Sequence, residues 1–129
     1  VDIIGVDDPE VSAQKTRPTH DPMPLLKTQD PARFAIVLDH RPALRPESVG
    51  LFDLQLSGHT HGGQMIFLEP LLRWAYGTPT GFSSHAAAQG TSYLYTSTGL
   101  GISKMPIRLL MPPECAVIDI AKVNPVAAQ

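Results

Sequence analysis

A histidine-rich turn follows an apolar segment in this chain. Residues 51–57 are mainly apolar and predict a buried strand, and residues 58–64, which follow directly, are Gly-His-Thr-His-Gly-Gly-Gln. His59 and His61 are two positions apart, so both side chains point to one side if the backbone stays extended. The flanking glycines let the backbone turn sharply and leave room for an ion or a substrate. Because neutral imidazole is the commonest side-chain metal ligand, this turn indicates a metal site.

A third histidine ends a second predicted strand. His40 comes after the apolar residues 34–38 and Asp39. In open α/β sheets, ligands usually bind at the edge formed by the carboxyl ends of the strands. We therefore expect His40 to converge with His59 and His61 at that edge. A single histidine after a strand is more often an ordinary surface residue than a ligand, so the prediction depends on the sequence around the pair.

The composition excludes several classes of protein. With 129 residues and a hydrophobic content of 43%, the chain is one domain or part of one, with enough apolar residues for a modest core. The formal net charge is -2 and the basic residues are scattered, so we predict no nucleic-acid patch. No apolar run approaches the length of a membrane-spanning helix. The single cysteine, Cys115, excludes an internal disulfide, and its alternating surroundings predict a buried thiol in a strand.

Short apolar segments separated by proline and glycine predict a mostly β chain. The 13 prolines interrupt the sequence and limit helix length. We predict about six or seven strands, one short helix near residues 24–29 and a helical turn at residues 46–50. The predicted strands are residues 1–6, 34–38, 51–57, 64–68, 93–97, 107–111 and 115–120, while residues 71–76 predict a helical turn or lid and residues 77–90 an exposed loop.

Several segments, taken in order, match the motifs of one family. His40 stands in Leu-Asp-His-Arg-Pro, and Gly58 begins Gly-His-Thr-His-Gly-Gly-Gln. Ser-Thr-Gly-Leu-Gly at residues 97–101 is followed by Pro-Ile-Arg at residues 106–108. Together with Val-Asp-Ile-Ile-Gly-Val-Asp-Asp at residues 1–8 and Pro-Glu at residues 113–114, these segments resemble the C-terminal half of a bacterial calcineurin-like metallophosphoesterase. The resemblance covers residues 1–122 and leaves residues 123–129 as a tail.

The resemblance implies a fold and a chemistry. The fold would be α/β (α+β), part of a four-layer αββα sandwich in which this fragment is mostly β-strands with few short helices. The chemistry would be hydrolysis of phosphomonoesters or phosphodiesters by a metal-bound hydroxide, with two divalent metal ions of Mn, Fe or Zn. By position, His40 and His59 would be ligands of one metal, and His61 would be a ligand of the other.

The chain also departs from the family pattern. The family motifs D-x-H, G-D-x-x-D and G-N-H-D/E are absent and would lie upstream of Val1. We therefore expect the missing N-terminal half of the domain to be the natural partner of this fragment, and the fragment to be inactive alone. An exposed sheet edge would permit self-association. Any membrane anchor would also lie in the missing part, which leaves both a cytoplasmic and a membrane-anchored location in a bacterium open.

Two alternative functions differ from this interpretation. The fragment could be a non-catalytic metal-binding or structural module that presents His40, His59 and His61. A cupin also uses a His-x-His pair, but it places a glutamate four or five positions later, whereas the first glutamate here is Glu69, eight positions after His61. The cupin interpretation is therefore weak. His20 and His85 have no partner motif and are not assigned to the site.

Overall fold

A five-stranded mixed sheet forms the centre of the computed structural model, which describes residues 1–8, 21–103 and 106–121. The strands are β1 Asp2–Val6, β2 Ala35–Asp39, β3 Leu54–Ser57, β4 Gly81–Ala87 and β5 Gly90–Thr96. Their order across the sheet is β1-β2-β3-β5-β4. The first four in this order are mutually parallel, and β4 is antiparallel to β5, with which it forms a hairpin.

The helices are few and short, which confirms the predicted fold class. Helix α1 is Met23–Thr28 and helix α2 is Glu69–Tyr76. Both have proline in the first turn, where its missing N–H costs nothing. Gly77 ends α2 in the left-handed conformation with φ 72°. Single 3-10 turns occur at Pro46–Ser48, His61–Gly63 and Ile66–Leu68.

One face of the sheet is packed against the rest of the chain. Ile4 and Val37 lie on this face of neighbouring strands and pack against Leu26 of α1 and Phe52. Leu94 of β5, on the same face, is fully buried. The buried Ser92 hydroxyl donates to the Phe52 carbonyl (2.6 Å) and accepts from the Gly50 N–H (2.7 Å), so its burial leaves no unpaired hydroxyl.

The opposite face carries large apolar side chains that are partly exposed. Strand pairing places Leu38, Leu56, Tyr95 and Phe82 in one row across four strands. The exposed fraction is 43% for Leu38 and 63% for Phe82. Phe82 stacks on Tyr93, with ring centroids 5.4 Å apart. We call this surface the open sheet face. Contiguous exposed apolar patches of this kind are uncommon on isolated domains.

Two of the predicted strands and one predicted loop are wrong. Residues 77–90 contain β4, although their small polar residues resemble a loop. Residues 64–68 form no strand, because Gln64 takes a left-handed conformation (φ 59°) and Ile66–Leu68 is a 3-10 turn. Residues 107–111 contribute only one isolated bridge, between Met65 and Leu109.

The predicted closing strand at residues 115–120 is also wrong. Residues 112–121 form no regular element, and Cys115 is exposed, so the prediction of a buried thiol is wrong as well. An alternating pattern gives a strand only where another strand supplies hydrogen bonds, and none pairs with this segment in the described part of the chain. The predicted tail, residues 123–129, lies outside the described residues. Among the residues described, none of the helices has the length and apolar character needed to cross a membrane.

We predict that Leu94→Ala lowers the free energy of unfolding by about 2–5 kcal/mol, because it leaves a cavity at a fully buried site. The matched control is Leu100→Ala, at a leucine whose exposed fraction is 70%, and it should change stability by no more than about 0.5 kcal/mol. Urea unfolding followed by circular dichroism measures both. Equal losses for the two variants would contradict the assigned core.

Candidate metal centre

His40 and His59 meet where two neighbouring parallel strands end. β2 ends at Asp39 and β3 ends at Ser57, so the residues that follow leave the sheet side by side. The Gly58 N–H donates to the His40 carbonyl (3.1 Å), which joins the two loops. The His40 Nε2 and His59 Nδ1 atoms are 3.1 Å apart, and the two rings meet edge to face. The structure thus brings together two of the three predicted histidines.

A carboxylate that the sequence interpretation missed completes this cluster. Asp8 follows β1, the other neighbour of β2, and its Oδ2 lies 4.0 Å from His40 Nε2. One ligand atom from each of Asp8, His40 and His59 lies within 4.8 Å of the other two. The signal was present in the sequence, because Asp8 follows an apolar strand, as His40 does.

His61 lies in a different environment. Its Nδ1 is 3.3 Å from Nη2 of Arg108, and its ring lies against Gly99 and Gly101. Among the described residues it is not part of the cluster that Asp8 forms with His40 and His59. The two histidines of the His-Thr-His segment therefore diverge, because the backbone between them does not stay extended.

Left-handed backbone conformations produce this divergence. His59 has φ 66°, His61 has φ 49° and Gln64 has φ 59°. Such angles are uncommon for residues other than glycine and are concentrated at functional sites. Gly62 also has positive φ, and a Cβ added there would stand 2.6 Å from Sδ of Met111. The turn is thus held in one conformation by close packing.

The donors of the cluster fit a divalent transition-metal ion. Two imidazoles and a carboxylate are a common ligand set for Zn, Fe and Mn. Two ligands bound at about 2.0–2.1 Å to a tetrahedral ion stand about 3.3 Å from each other. The observed His40–His59 nitrogen separation of 3.1 Å is close to that spacing.

Comparisons with known proteins agree with this chemistry. The chain is 35% identical, over 92% of its length, to an uncharacterized metallophosphoesterase of Aquifex aeolicus. It is 36% identical, over 70% of its length, to the uncharacterized metallophosphoesterase YkuE of Bacillus subtilis. The chain is a homologue of bacterial metallophosphoesterases. It spans 44% and 32% of the length of these two relatives, respectively. No family model matches the chain, and no solved structure matches it significantly.

Arg108 links His61 to the loop that follows β5. Its Nη2 donates to the carbonyls of Thr98 (2.9 Å) and Gly99 (3.0 Å) and also contacts the Gly101 carbonyl. Its Nη1 reaches the Met111 carbonyl (3.3 Å). The Arg108 guanidinium thus donates to carbonyls of two irregular segments and also lies beside His61. These contacts give the arginine of the Pro-Ile-Arg segment a structural role.

Glu114 fixes the same loop from the other side. Its carboxylate accepts from the Thr98 N–H (3.0 Å), the Ser97 hydroxyl (3.4 Å) and the Tyr95 hydroxyl. The hydrogen bond to Glu114 raises the pKa of Tyr95 to about 12, with smaller contributions from burial and the carboxylate charge. The same bond is the main cause that lowers the pKa of Glu114. Glu114 therefore supports the loop that holds Arg108.

The remaining polar residues of the region have structural partners. Asp39 Oδ1 accepts from the Arg41 N–H (3.0 Å), and burial raises the Asp39 pKa, so its observed role is to cap the end of β2. Arg41 pairs with Asp8 (3.4 Å).

The aromatic residues of α2 differ in their distance from the site. The Tyr76 ring lies 5.9 Å from the His59 ring, whereas Trp74 is largely exposed. His85 lies on β4 beside Ser83, and His20 lies outside the described residues.

We predict that Gly62→Ala destabilises the chain by about 1–3 kcal/mol, because the new Cβ combines a positive φ with a clash against Met111. Gly58→Ala, four positions earlier in the same turn, is the matched control, since nothing lies within 4 Å of its added Cβ. Chemical denaturation compares the two variants. A loss for Gly58→Ala as large as that for Gly62→Ala would argue against the packing described for this turn.

We predict that Tyr95→Phe costs about 1 kcal/mol of stability near neutral pH, allowing for solvent screening of this bond. Because the folded-state pKa of Glu114 is lowered, its contribution is present above the ordinary value of 4.5 and is lost as pH falls through the folded pKa. Because the pKa of Tyr95 is raised, its contribution is present below 10.0 and is lost as pH rises through about 12.

The difference in unfolding free energy between wild type and Tyr95→Phe should therefore be largest from about pH 5 to 9 and shrink at both extremes. Urea titrations across this range measure it. Tyr93→Phe, at the partly exposed tyrosine on the same strand, is the control and should give only a small difference near neutral pH. A pH-independent effect for Tyr95→Phe would contradict the pairing with Glu114.

Proposed function

We propose that this chain supplies the histidine-rich part of a metal-dependent phosphoesterase that hydrolyses phosphomonoesters or phosphodiesters. The observation that carries the proposal is the meeting of His40 Nε2 and His59 Nδ1, 3.1 Å apart at the ends of parallel strands. The homology to metallophosphoesterases supports it, as that name implies metal ions and phosphate esters. The substrate class follows from the family and not from a pocket in this chain.

The proposed roles of the histidines are those of metal ligands. His40 and His59 would hold one divalent ion, and His61 would be a ligand of a second, with Mn, Fe or Zn compatible with these donors. Ions in such a centre bind phosphate oxygens, lower the pKa of water and stabilise charge on the oxygens that enter and leave. Arg108 Nη2 lies 3.3 Å from His61 Nδ1, and because a guanidinium only donates, this contact needs Nδ1 as the acceptor and leaves the ring proton on Nε2. For His61 to bind an ion through Nε2, the ring or the guanidinium must turn so that Nδ1 carries the proton and faces an acceptor.

The proposed partner is the remainder of a longer metallophosphoesterase domain. The chain spans less than half of each relative reported above, and the open sheet face is rich in apolar side chains. A second layer packed on Leu38, Tyr93 and Phe82 would bury them, as layered folds require. Without that layer, we propose that the chain is inactive and self-associates through its edge strands β1 and β4.

A second function is favoured by the separation of His61 from the other two histidines. If the isolated chain were a non-catalytic metal-binding module, the ligands already assembled within it would suffice for one ion. The His40 and His59 nitrogens stand side by side in this chain, whereas His61 contacts Arg108, so the module would use two of the three histidines first predicted for it.

We predict that an intact protein carrying this chain hydrolyses p-nitrophenyl phosphate or bis-p-nitrophenyl phosphate when supplied with Mn²⁺, and that His59→Ala lowers kcat at least about 100-fold, because a direct ligand is lost. His85→Ala is the matched control, since this histidine bonds to Ser83 on β4, and its activity should equal that of wild type. A kcat for His59→Ala equal to that of wild type would contradict the proposed function. The 129-residue chain assayed alone should be inactive.

A further inference from the structure

We propose that Asp8, His40 and His59 bind one divalent transition-metal ion within this chain alone, with the Asp8 carboxylate as a direct ligand. The proposal rests on the proposed function for the two histidines and adds to it a ligand that the family motifs do not include. It also gives the isolated chain a property of its own, because all three donors follow strands that pair with one another.

The distances require only a small closure around an ion. His40 Nε2 and His59 Nδ1 are already 3.1 Å apart, and Asp8 Oδ2 is 4.0 Å from His40 Nε2. Ligand atoms around a four-coordinate ion stand about 3.3 Å apart, so the carboxylate must approach His40 Nε2 by about 0.7 Å. All three ligand atoms lie within 4.8 Å of one another, so its approach to His59 is at most about 1.5 Å. Rotation of the Asp8 side chain can supply this movement without a change in the strands.

Arg41 keeps the Asp8 carboxylate in place. Its Nε and Nη2 lie 3.4 Å and 3.5 Å from the two oxygens of Asp8. A carboxylate offers about four lone-pair positions, so it can accept from a guanidinium and bind a metal at the same time. The Asp8 side chain is only 14% exposed, and a partner that orients a ligating carboxylate is the usual arrangement around metal ligands.

The site is open to entering ions on the histidine side. The His40 side chain is 55% exposed, so an ion reaches its Nε2 from solvent. Without metal, one imidazole N–H donates to the other ring across the 3.1 Å contact. For both nitrogens to bind the ion, the proton between them must move, through water, to the other nitrogen of the ring that carries it. This change of tautomer keeps both imidazoles neutral and releases no net proton.

The test is a Co²⁺ titration of the purified 129-residue chain, followed by its visible absorption, with Zn²⁺ competition against a chromophoric chelator. We expect one ion per chain. Asp8→Asn should weaken Zn²⁺ binding at least about 10-fold and change the Co²⁺ spectrum, because an amide oxygen replaces a carboxylate ligand. Asp7→Asn removes the same charge from the adjacent exposed residue and should leave both affinity and spectrum unchanged.

Two further variants keep the result interpretable. His61→Ala should leave the stoichiometry at one, because His61 is outside the cluster. If circular dichroism shows that Asp8→Asn does not fold, Asp8→Glu provides the test, because it retains the carboxylate. Its Zn²⁺ affinity should lie below that of wild type and above that of the His40→Ala variant.

The outcomes separate this proposal from the proposed function. A wild-type chain that binds no ion would overturn the proposal, and so would binding that His40→Ala abolishes while Asp8→Asn leaves it unchanged. Either result is compatible with a phosphoesterase whose other ligands come from the rest of the protein. Conversely, an inactive intact protein whose isolated chain binds one ion through Asp8 would support this inference and overturn the proposed function.

Discussion

The parallel ladder through β1, β2 and β3 is the constraint on which the candidate site depends. Val6 pairs with Asp39, and Leu38 pairs with Leu56, so all three strands end at the same edge. Asp8, His40 and His59 each follow within two residues of a strand end. A shift of one residue in either pairing would reverse which side chains face the core and would separate the three donors. The buried positions Ile4 and Val37 oppose that shift, so the hydrophobic core sets how the three donors meet.

A second set of interactions organises the irregular segments after β5. Residues 97–103 and 106–114 contain little regular structure, yet Arg108 and Glu114 satisfy polar groups of the loop after β5. Gln64, which is buried, adds a link by donating its amide to the Ile107 carbonyl (2.8 Å). In these segments side chains, and not paired strands, supply the hydrogen bonds to the backbone N–H and carbonyl groups. His61 is held by this network and not by the strands, which explains why its environment differs from that of His59.

The sequence could predict the strand ends but not every partner. The apolar runs that became β2 and β3 end abruptly at polar residues, so sheet geometry predicted that His40 and His59 would meet. The same geometry also grouped His61 with them, because it could not reveal the left-handed conformations between the two histidines of the turn. Asp8 was missed because an Asp-Asp pair after a strand is also what an ordinary turn contains. Residues 115–120 were assigned wrongly because alternation cannot reveal whether a neighbouring strand exists. The ligand role of the three histidines stays a prediction.

The turn that carries His59 also bears on how its sequence can vary. At positions 59, 61 and 64 the backbone adopts left-handed conformations, which glycine and asparagine accept most readily. Backbone energetics alone would therefore favour replacing His59, His61 and Gln64 with these smaller residues. That two histidines and a glutamine occupy such positions means that their side chains are worth more to the protein than the relaxation that replacement would bring. Replacement by glycine at these three sites would relax the backbone of the turn but remove the side chains that the turn presents.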